Sequence, residues 1–354
     1  MCLLVNPAAG GGRAAHMAPA AERALRARGL EVTRSNTRDL AHARELAGAA
    51  AARGETVVAL SGDGLLGALA DVLRDRPGAV LGVVPGGRGN DLARVLGIPE
   101  DADGAAAVVA AASTRPLDLG EVEEAGASGG AAGDDAGGGG NAAGGDAAGG
   151  GHAAAGDDAA GDGGGAAGTG ASGRGARGRA FVGIASAGFD SDANRIANEA
   201  PAWLGGLVYL YGALRALAGW RPARFEVELD PPGERYVFDA YSVGAANSKT
   251  YGGGMRAAPD AKLDDGLLEV IVLESVSKLA FLTRVLPKVF SGSHVHEPGV
   301  HVFRAREVAL SADRPFTMYA DGDPIGELPV RVRALPAAVE MLAPAQAGPA
   351  FSEG

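Results

Sequence analysis

Thr56-Val57-Val58-Ala59-Leu60-Ser61-Gly62-Asp63-Gly64 and Val80-Leu81-Gly82-Val83-Val84-Pro85-Gly86-Gly87-Arg88-Gly89-Asn90-Asp91 share one pattern. In each, an apolar run ends in a glycine-rich turn, and a helix-like stretch follows. The apolar run reads as a buried strand. The glycines let the backbone approach an anion closely, and the helix behind them aims free N–H groups and a positive end at it. Two such turns in one small domain point to a nucleotide held between them. Asp63 and Asp91 lie inside the turns and repel phosphate, so they make sense as partners of Mg²⁺ or of a neighbouring cation.

The pattern extends outward on both sides. Leu3-Leu4-Val5 reads as a strand, Ala14–Arg28 as a helix ended by Gly29, Leu30-Glu31-Val32-Thr33 as a strand, and Asp39–Arg53 as a helix ended by Gly54. The second glycine turn leads into a helix over Asp91–Leu96. Strand and helix alternating in this way predict a mostly parallel sheet with helices on both faces, with ligands at the carboxyl ends of the strands. Residues 1–118 therefore read as a nucleotide-binding α/β domain.

Residues 125–178 are almost all Gly and Ala with scattered Asp. Such a stretch buries too little apolar surface to offset its ordering entropy, which predicts a disordered insertion in a loop. Strand-like Pro116–Gly120 before it and Arg179–Gly183 after it favour an insertion over a linker. Beyond it the chain turns β-rich. Strands are predicted at Phe181–Ile184, Phe225–Leu229, Tyr236–Ala245, Leu267–Leu273, His301–Ala305, Glu307–Ser311, Phe316–Ala320 and Val330–Ala334. Helices are predicted over Trp203–Ala218 and Lys278–Phe290. Residues 119–334 thus read as an antiparallel sandwich or barrel-like domain.

The bulk properties exclude several classes. The chain has 354 residues, 47% of them hydrophobic, enough for two domains with cores. A formal charge of -11 without any basic block argues against a nucleic-acid partner. The single cysteine, Cys2, excludes an internal disulfide and fits a reducing cytoplasm. Leu3-Leu4-Val5 is cut short by Asn6-Pro7, so no secretory signal is read there. No apolar run is long enough to span a bilayer, which leaves at most an association with a membrane surface.

Read in order, six motifs form a series: Asn6-Pro7-Ala8-Ala9-Gly10; Ser61-Gly62-Asp63-Gly64-Leu65; Pro85 to Arg94; Ala187-Gly188-Phe189-Asp190; Pro259-Asp260-Ala261 with Asp265-Gly266-Leu267-Leu268; and Asp321-Gly322-Asp323. The series resembles the diacylglycerol kinase catalytic-domain family of bacterial lipid kinases, which also takes in sphingosine and ceramide kinases. The resemblance implies a phosphofructokinase-like first domain and a β-sandwich second domain, with the nucleotide in the cleft between them. It also implies a C-terminal segment (335–345) in which a helix over Pro336–Leu342 returns to the first domain. The implied activity is ATP- and Mg²⁺-dependent transfer of the γ-phosphoryl group to a lipid hydroxyl, with diacylglycerol to phosphatidic acid as the leading reaction. A sphingoid or other lipid alcohol is the rival acceptor. A non-catalytic nucleotide- or lipid-binding relative is the rival class. The β-rich second half and Asp321-Gly322-Asp323 weigh against a soluble kinase of the NAD kinase type. The implied partner is a lipid at a membrane surface, the implied place is the cytoplasm with reversible visits to the inner leaflet, and a homodimer is allowed.

Carried over residue by residue, the resemblance gives a nucleotide-binding set of Asn6, Gly10, Arg13, Thr37, Gly62, Gly64, Gly87, Arg88, Asn90 and Asp91. It places Asp63 on catalytic Mg²⁺ and makes Asp323 the general base with Asp321 beside it. Asp265, with the backbone carbonyls of Lys262 and Leu267, resembles a structural Mg²⁺ site. Departures from the family pattern bear on activity. Leu65 replaces a hydroxyl-bearing residue, Gly67 and Ala68 stand where an Asn-Glu pair usually follows, and Gly11 takes the place of a phosphate-binding lysine. Arg88 replaces a threonine. Its forked cation either strengthens triphosphate binding or blocks the site by bulk, and Gly86, Gly87 and Gly89 leave room for the first. Asp323 is one methylene shorter than the glutamate it replaces, which could pass its task to Asp321.

Simpler roles compete at several positions. Asp91 reads equally as a helix N-terminal charge, and Asp265-Gly266 as a plain turn. By spacing alone Asp321-Gly322 is a hairpin turn; its place in the motif series argues for the site. His294, His296 and His301 lack the company of a zinc site and read as loop residues. Two apolar helix faces stand out, one from Trp203 to Leu217 and one made by Phe281, Leu282, Val285, Leu286, Val289 and Phe290. Both read as core packing, or as the lining of an acyl-chain entrance or a membrane contact.

Overall fold

Residues Cys2–Val5 (β1) run parallel to Thr33–Asn36 (β2) on one side and to Val57–Ser61 (β3) on the other. Val80–Pro85 (β4) continues the parallel sheet beyond β3, with Ser61 opposite Pro85. The computed structural model describes residues 1–125, 177–189, 191, 196, 208–345 and 350–352. The Gly/Ala insertion lies outside the described residues, as do Asp190 and the segment from Trp203 to Leu207. Residues β1, β3 and most of β4 are fully buried, as a parallel sheet covered on both faces requires.

Helices Arg13–Ala27 (α1), Leu40–Ala52 (α2), Asp63–Leu73 (α3), Asp91–Leu96 (α4) and Ala102–Ala111 (α5) cover this sheet. The expected caps are in place. Asp39 accepts the N–H of His42 to start α2, and Gly29 and Gly54 take left-handed φ after α1 and α2. The second strand starts at Thr33 rather than Leu30, because the N–H of Leu30 still closes onto Leu25 at the end of α1. Helix α5 is an addition to the sequence reading; Asp101 caps it by accepting the N–H of Gly104.

Thr114–Glu124 (β5), Arg179–Phe181 (β6), Ile184–Gly188 (β7), Ala223–Leu229 (β8), Arg235–Ala246 (β9), Leu268–Glu274 (β10), Val300–Ala305 (β11), Glu307–Ala312 (β12), Thr317–Ala320 (β13), Asp323–Glu327 (β14) and Val330–Leu342 (β15) make the β-rich part, in which the strands pair antiparallel. The order along the sheet is β14-β13-β7-β9-β8-β12-β15-β4-β3-β1-β2. A second core of Phe181, Phe225, Val243, Val270, Val308, Met318 and Val332 fills this half. The fold is thus an α/β part with a parallel sheet and a β-rich part. Among the described residues no helix is long and apolar enough to cross a membrane.

One expectation is corrected. Residues Pro336–Leu342 form no helix. They are the far end of β15, which pairs with β5 along its length and reaches the parallel sheet as a strand, with Glu340 opposite Val80 and Met341 opposite Leu81. The chain bulges between Leu335 and Val339, where Ala337 has φ 48°. The carboxylate of Asp118 accepts the N–H of Ala337 at 2.7 Å and holds that bulge. Helical propensity yields here to ladder hydrogen bonds on both sides.

Candidate active site

The turn after β3 and the turn after β4 touch. Gly62 and Gly87 pack so closely that a Cβ on Gly87 would stand 2.4 Å from Cα of Gly62. Asn90 shapes the second turn from within, its Oδ1 accepting the N–H of Gly87 at 2.8 Å and its Nδ2 donating to the Gly87 carbonyl at 3.1 Å. Asp63 then reaches across. Its Oδ2 accepts the N–H of Asp91 at 2.9 Å and its Oδ1 that of Leu92 at 3.0 Å. Asp63 therefore caps α4, a helix whose own N-cap residue, Asn90, provides no side-chain cap.

Asp91 is buried. It accepts from Arg94 at 3.1 Å through Oδ1 and from the N–H of Gly253 at 2.8 Å through Oδ2. Burial, with Asp63 close by, pushes its carboxyl up to about 6, against the pull of the Gly253 N–H and Arg94. Gly253 belongs to Gly252-Gly253-Gly254, all three with left-handed φ (60°, 84° and 105°), in a loop of the β-rich part. The sequence reading passed over this loop. Three successive glycines between a strand and a Pro-x-Ala motif were the available signal.

Asp321 and Gly322 have φ 53° and 98° and form the two-residue turn between β13 and β14. The turn and the site coincide. The turn aims the Asp321 carboxylate back into the fold, where Oδ2 accepts the N–H of Val182 and Oδ1 that of Gly183, both at 2.8 Å. Burial of the carboxyl, with Asp63 and Asp323 nearby, raises it to about 7 despite those two donors.

A cavity of about 290 Å³ opens between these groups. Its polar lining comprises Gly62, Asp63, Gly64, Arg88, Asp91 and Asp321, and its apolar lining Phe189, Leu273, Phe281, Val285, Leu286 and Val289. The second apolar helix face of the sequence reading is thus the cavity wall. It runs through Lys278–Ala280, a π-helical segment Phe281–Val285 and Leu286–Val289. Arg88 is exposed on the cavity wall, with no ion pair to it among the described residues.

Asp323 does not line this cavity. It faces a small neighbouring cleft with Arg44, Arg179, Gly64 and Gly67. Burial raises its carboxyl, and Arg179 and Arg44 oppose the rise. Asn6 and Thr37 directly follow β1 and β2, Gly10 lies in the helical turn between β1 and α1, Arg13 opens α1, and none of the four lines the cavity. Asn6 accepts the N–H of Ala8, Arg13 pairs with Glu100 at 3.5 Å, and the Thr37 hydroxyl donates to the Val5 carbonyl at 3.3 Å. Gly10 packs against the carbonyl of Gly86, behind the second turn.

Asp63 and Asp91 fit a magnesium ion. Both lie on the cavity wall, both approach Gly89, and hard carboxylate oxygens backed by phosphate oxygens are the usual Mg²⁺ donor set. Asp265 is off the cavity wall. Its carboxylate is ion-paired to Arg304, which also pairs with Glu269 at 2.9 Å, and it accepts the N–H of Leu267 at 3.0 Å. Lys262 donates to the Phe351 carbonyl at 3.4 Å. In this structure a guanidinium stands at the carboxylate to which the resemblance gives a structural Mg²⁺.

The family models match this geometry in order. Residues 1–122 match the diacylglycerol kinase catalytic domain, and residues 183–343 match the YegS C-terminal NAD kinase beta sandwich-like domain. A diacylglycerol kinase of Mycobacterium tuberculosis is 31% identical over 345 residues, covering 96% of this chain and 94% of its own length. This chain belongs to the diacylglycerol kinase family. Like the other lipid kinases of that family, it is a kinase-type phosphotransferase. The diacylglycerol kinase of Bacillus subtilis is 24% identical over 280 residues, covering 78% of this chain and 73% of that one. A solved diacylglycerol kinase structure from Bacillus anthracis superposes with a TM-score of 0.65 at 16% identity, over 98% of this chain and 97% of that one, which shows the shared fold.

Proposed function

We propose that the chain transfers the γ-phosphoryl group of ATP to the free hydroxyl of diacylglycerol, giving phosphatidic acid. The observation that carries this reading is a single cavity with both kinds of lining. Carboxylates, glycines and Arg88 line it together with Phe189, Phe281, Val285 and Leu286, and in this reading the apolar side chains form the channel for an acyl chain. Phosphoryl transfer is mostly positioning plus electrostatic stabilisation, and this layout provides both. Gly62, Gly64 and Arg88 hold the phosphates, and Asp63 and Asp91 hold Mg²⁺. When bound, Mg²⁺ neutralises charge on the transferring group.

Asp321 takes the hydroxyl proton. It lines the cavity beside Asp63, and its carboxyl is raised to about 7, where a base combines availability with strength. Asp323, the base by family resemblance, lines the neighbouring cleft with Arg44 and Arg179. The two-domain reading, 1–118 for nucleotide and 119–334 for lipid, suits a cavity walled by both parts. So does a cytoplasmic chain that meets the inner leaflet. Leu279 and Phe290, at the two ends of the helical stretch that walls the channel, are 72% and 58% exposed.

Radiolabelled ATP with purified protein and a panel of lipid alcohols in mixed micelles tests the proposal. Labelled phosphatidic acid is the expected product, lost in Asp321→Asn. A labelled sphingoid base with unlabelled diacylglycerol would move the assignment to that acceptor, and Mg-ATP binding without any labelled lipid would overturn it.

A further inference from the structure

Val182 and Gly183 interrupt what the sequence presents as one strand, Phe181–Ile184, and every backbone polar group of the pair is engaged. Their N–H groups hold the two oxygens of Asp321. On the other side stands Asn247, which follows directly on β9 and has no exposed surface. Its Nδ2 donates to the Val182 carbonyl at 3.0 Å and to the Asp118 carbonyl at 2.8 Å. The backbone N–H groups of Asn247 and Ser248 both donate to the Gly183 carbonyl, at 2.9 and 3.1 Å. The dipeptide is thus clamped between one asparagine and one aspartate. Gly183 has to be glycine for the clamp to close, since a Cβ there would lie 2.5 Å from Oδ1 of Asp321.

A peptide unit is rigid, so a carbonyl and the N–H across the same bond turn together. Fixing the Val182 carbonyl therefore fixes the N–H of Gly183. We infer that Asn247 is a positioning residue for Asp321: by gripping the Val182 carbonyl, its side chain fixes the N–H of Gly183, one of the two that seat the carboxylate on the cavity wall. The inference rests on Asp321 as the proton acceptor. The clamp also reaches β5, because Asp118 lies on that strand, and its carboxylate holds Gly266 and Ala337. The charged groups facing Asp321 are Asp63 on α3 and Asp323 on β14, with Arg179 and Arg44 behind Asp323. None of them is a hydrogen-bond partner of Asn247.

The test is Asn247→Ser in the full chain, which keeps one donor where Asn247→Ala would leave two buried carbonyls bare. The Asp321 carboxyl is followed by ¹³C NMR, its signal assigned through Asp321→Asn. In Asn247→Ser the carboxyl should titrate at higher pH than in the unmutated chain. An unmoved titration overturns the inference, and this readout holds even if no lipid is phosphorylated. With active enzyme, kcat should fall by up to about 100-fold, as for a misplaced reacting group. KM for ATP and lipid should stay within about twofold, and the acid limb of kcat should move up. Unchanged kcat, or a rise confined to KM, overturns it. Amide exchange in the unmutated chain needs no variant. Val182 and Gly183 should exchange as slowly as β9, and loop-like exchange there would sink the clamp.

Discussion

The carboxyl group of Asp321 occupies the space that a side chain on residue 67 would take: a Cβ added to Gly67 would stand 2.4 Å from its Oδ2. Gly67 lies in the middle of α3, where glycine costs a helix about 0.5–1 kcal/mol relative to alanine. The cost is offset by function, since only an absent side chain lets Asp321 settle onto the N–H groups of Val182 and Gly183. Gly67→Ala should gain helix propensity and lose the seat of the base. Lipid phosphorylation should fall by about tenfold or more, in the range of a displaced reacting group. Thermal melting should change little. Wild-type turnover in this variant would show that Asp321 can act from elsewhere.

Asp63 carries two duties. It lines the cavity and it caps α4 through both oxygens. Asp63→Ala should therefore lose activity and also about 1–2 kcal/mol of stability, as a lost cap does. Asp63→Asn keeps one acceptor oxygen, so it should recover part of the stability and none of the activity. Denaturant unfolding beside the micelle assay separates the two. Equal stability in Asp63→Ala and the unmutated chain would remove the capping role.

The parts legible in the sequence are those whose cause is local. Ser61–Gly64 and Pro85–Asp91 each contain strand end, turn and helix start within a few residues, and the structure places them as read. Most strands of the β-rich part announced themselves by apolar runs, with ends off by a residue or two, but Phe181–Ile184 is split between β6 and β7, Val330–Ala334 is only the start of β15, and β14 was not expected. Other features depend on partners far along the chain. Nothing within Pro336–Leu342 tells it to be a strand; β4 and β5 do. That Asp321 rather than Asp323 faces the cavity follows from the left-handed φ of Asp321 and Gly322, which no spacing rule reveals. Asp265 paired with Arg304 was hidden because the two are 39 residues apart on different strands and loops.

Two raised carboxyls give the pH dependence. Asp321 is pushed up to about 7 and Asp91 to about 6, both chiefly by burial. If ionised Asp321 takes the hydroxyl proton, kcat should decline as pH falls through about 7. Stability runs the other way. Both groups hold their protons more tightly folded than unfolded, so their contribution is full below about pH 4 and is lost as pH rises through 6 and 7. Urea midpoints measured from pH 5 to pH 8 should therefore fall by less in Asp321→Asn than in the unmutated chain. Parallel curves would mean that the carboxyl is not perturbed.

Arg304 joins two acidic groups of which one, Glu269, is buried. Burial raises the Glu269 carboxyl, and Arg304 is the first group that opposes the rise. Removing the guanidinium leaves Asp265 and Glu269 side by side without a cation. Breaking a buried pair costs up to about 3–5 kcal/mol, but Arg304 is half exposed, which brings the expected loss in Arg304→Met nearer 1–3 kcal/mol. The sharper expectation concerns divalent ions. With Arg304 in place, a chelator should leave the melting temperature of the nucleotide-free chain unchanged. In Arg304→Met, Mg²⁺ at millimolar levels should restore part of the lost stability through Asp265. A melting temperature that falls on chelation in the unmutated chain would place a metal ion, not the guanidinium, at Asp265.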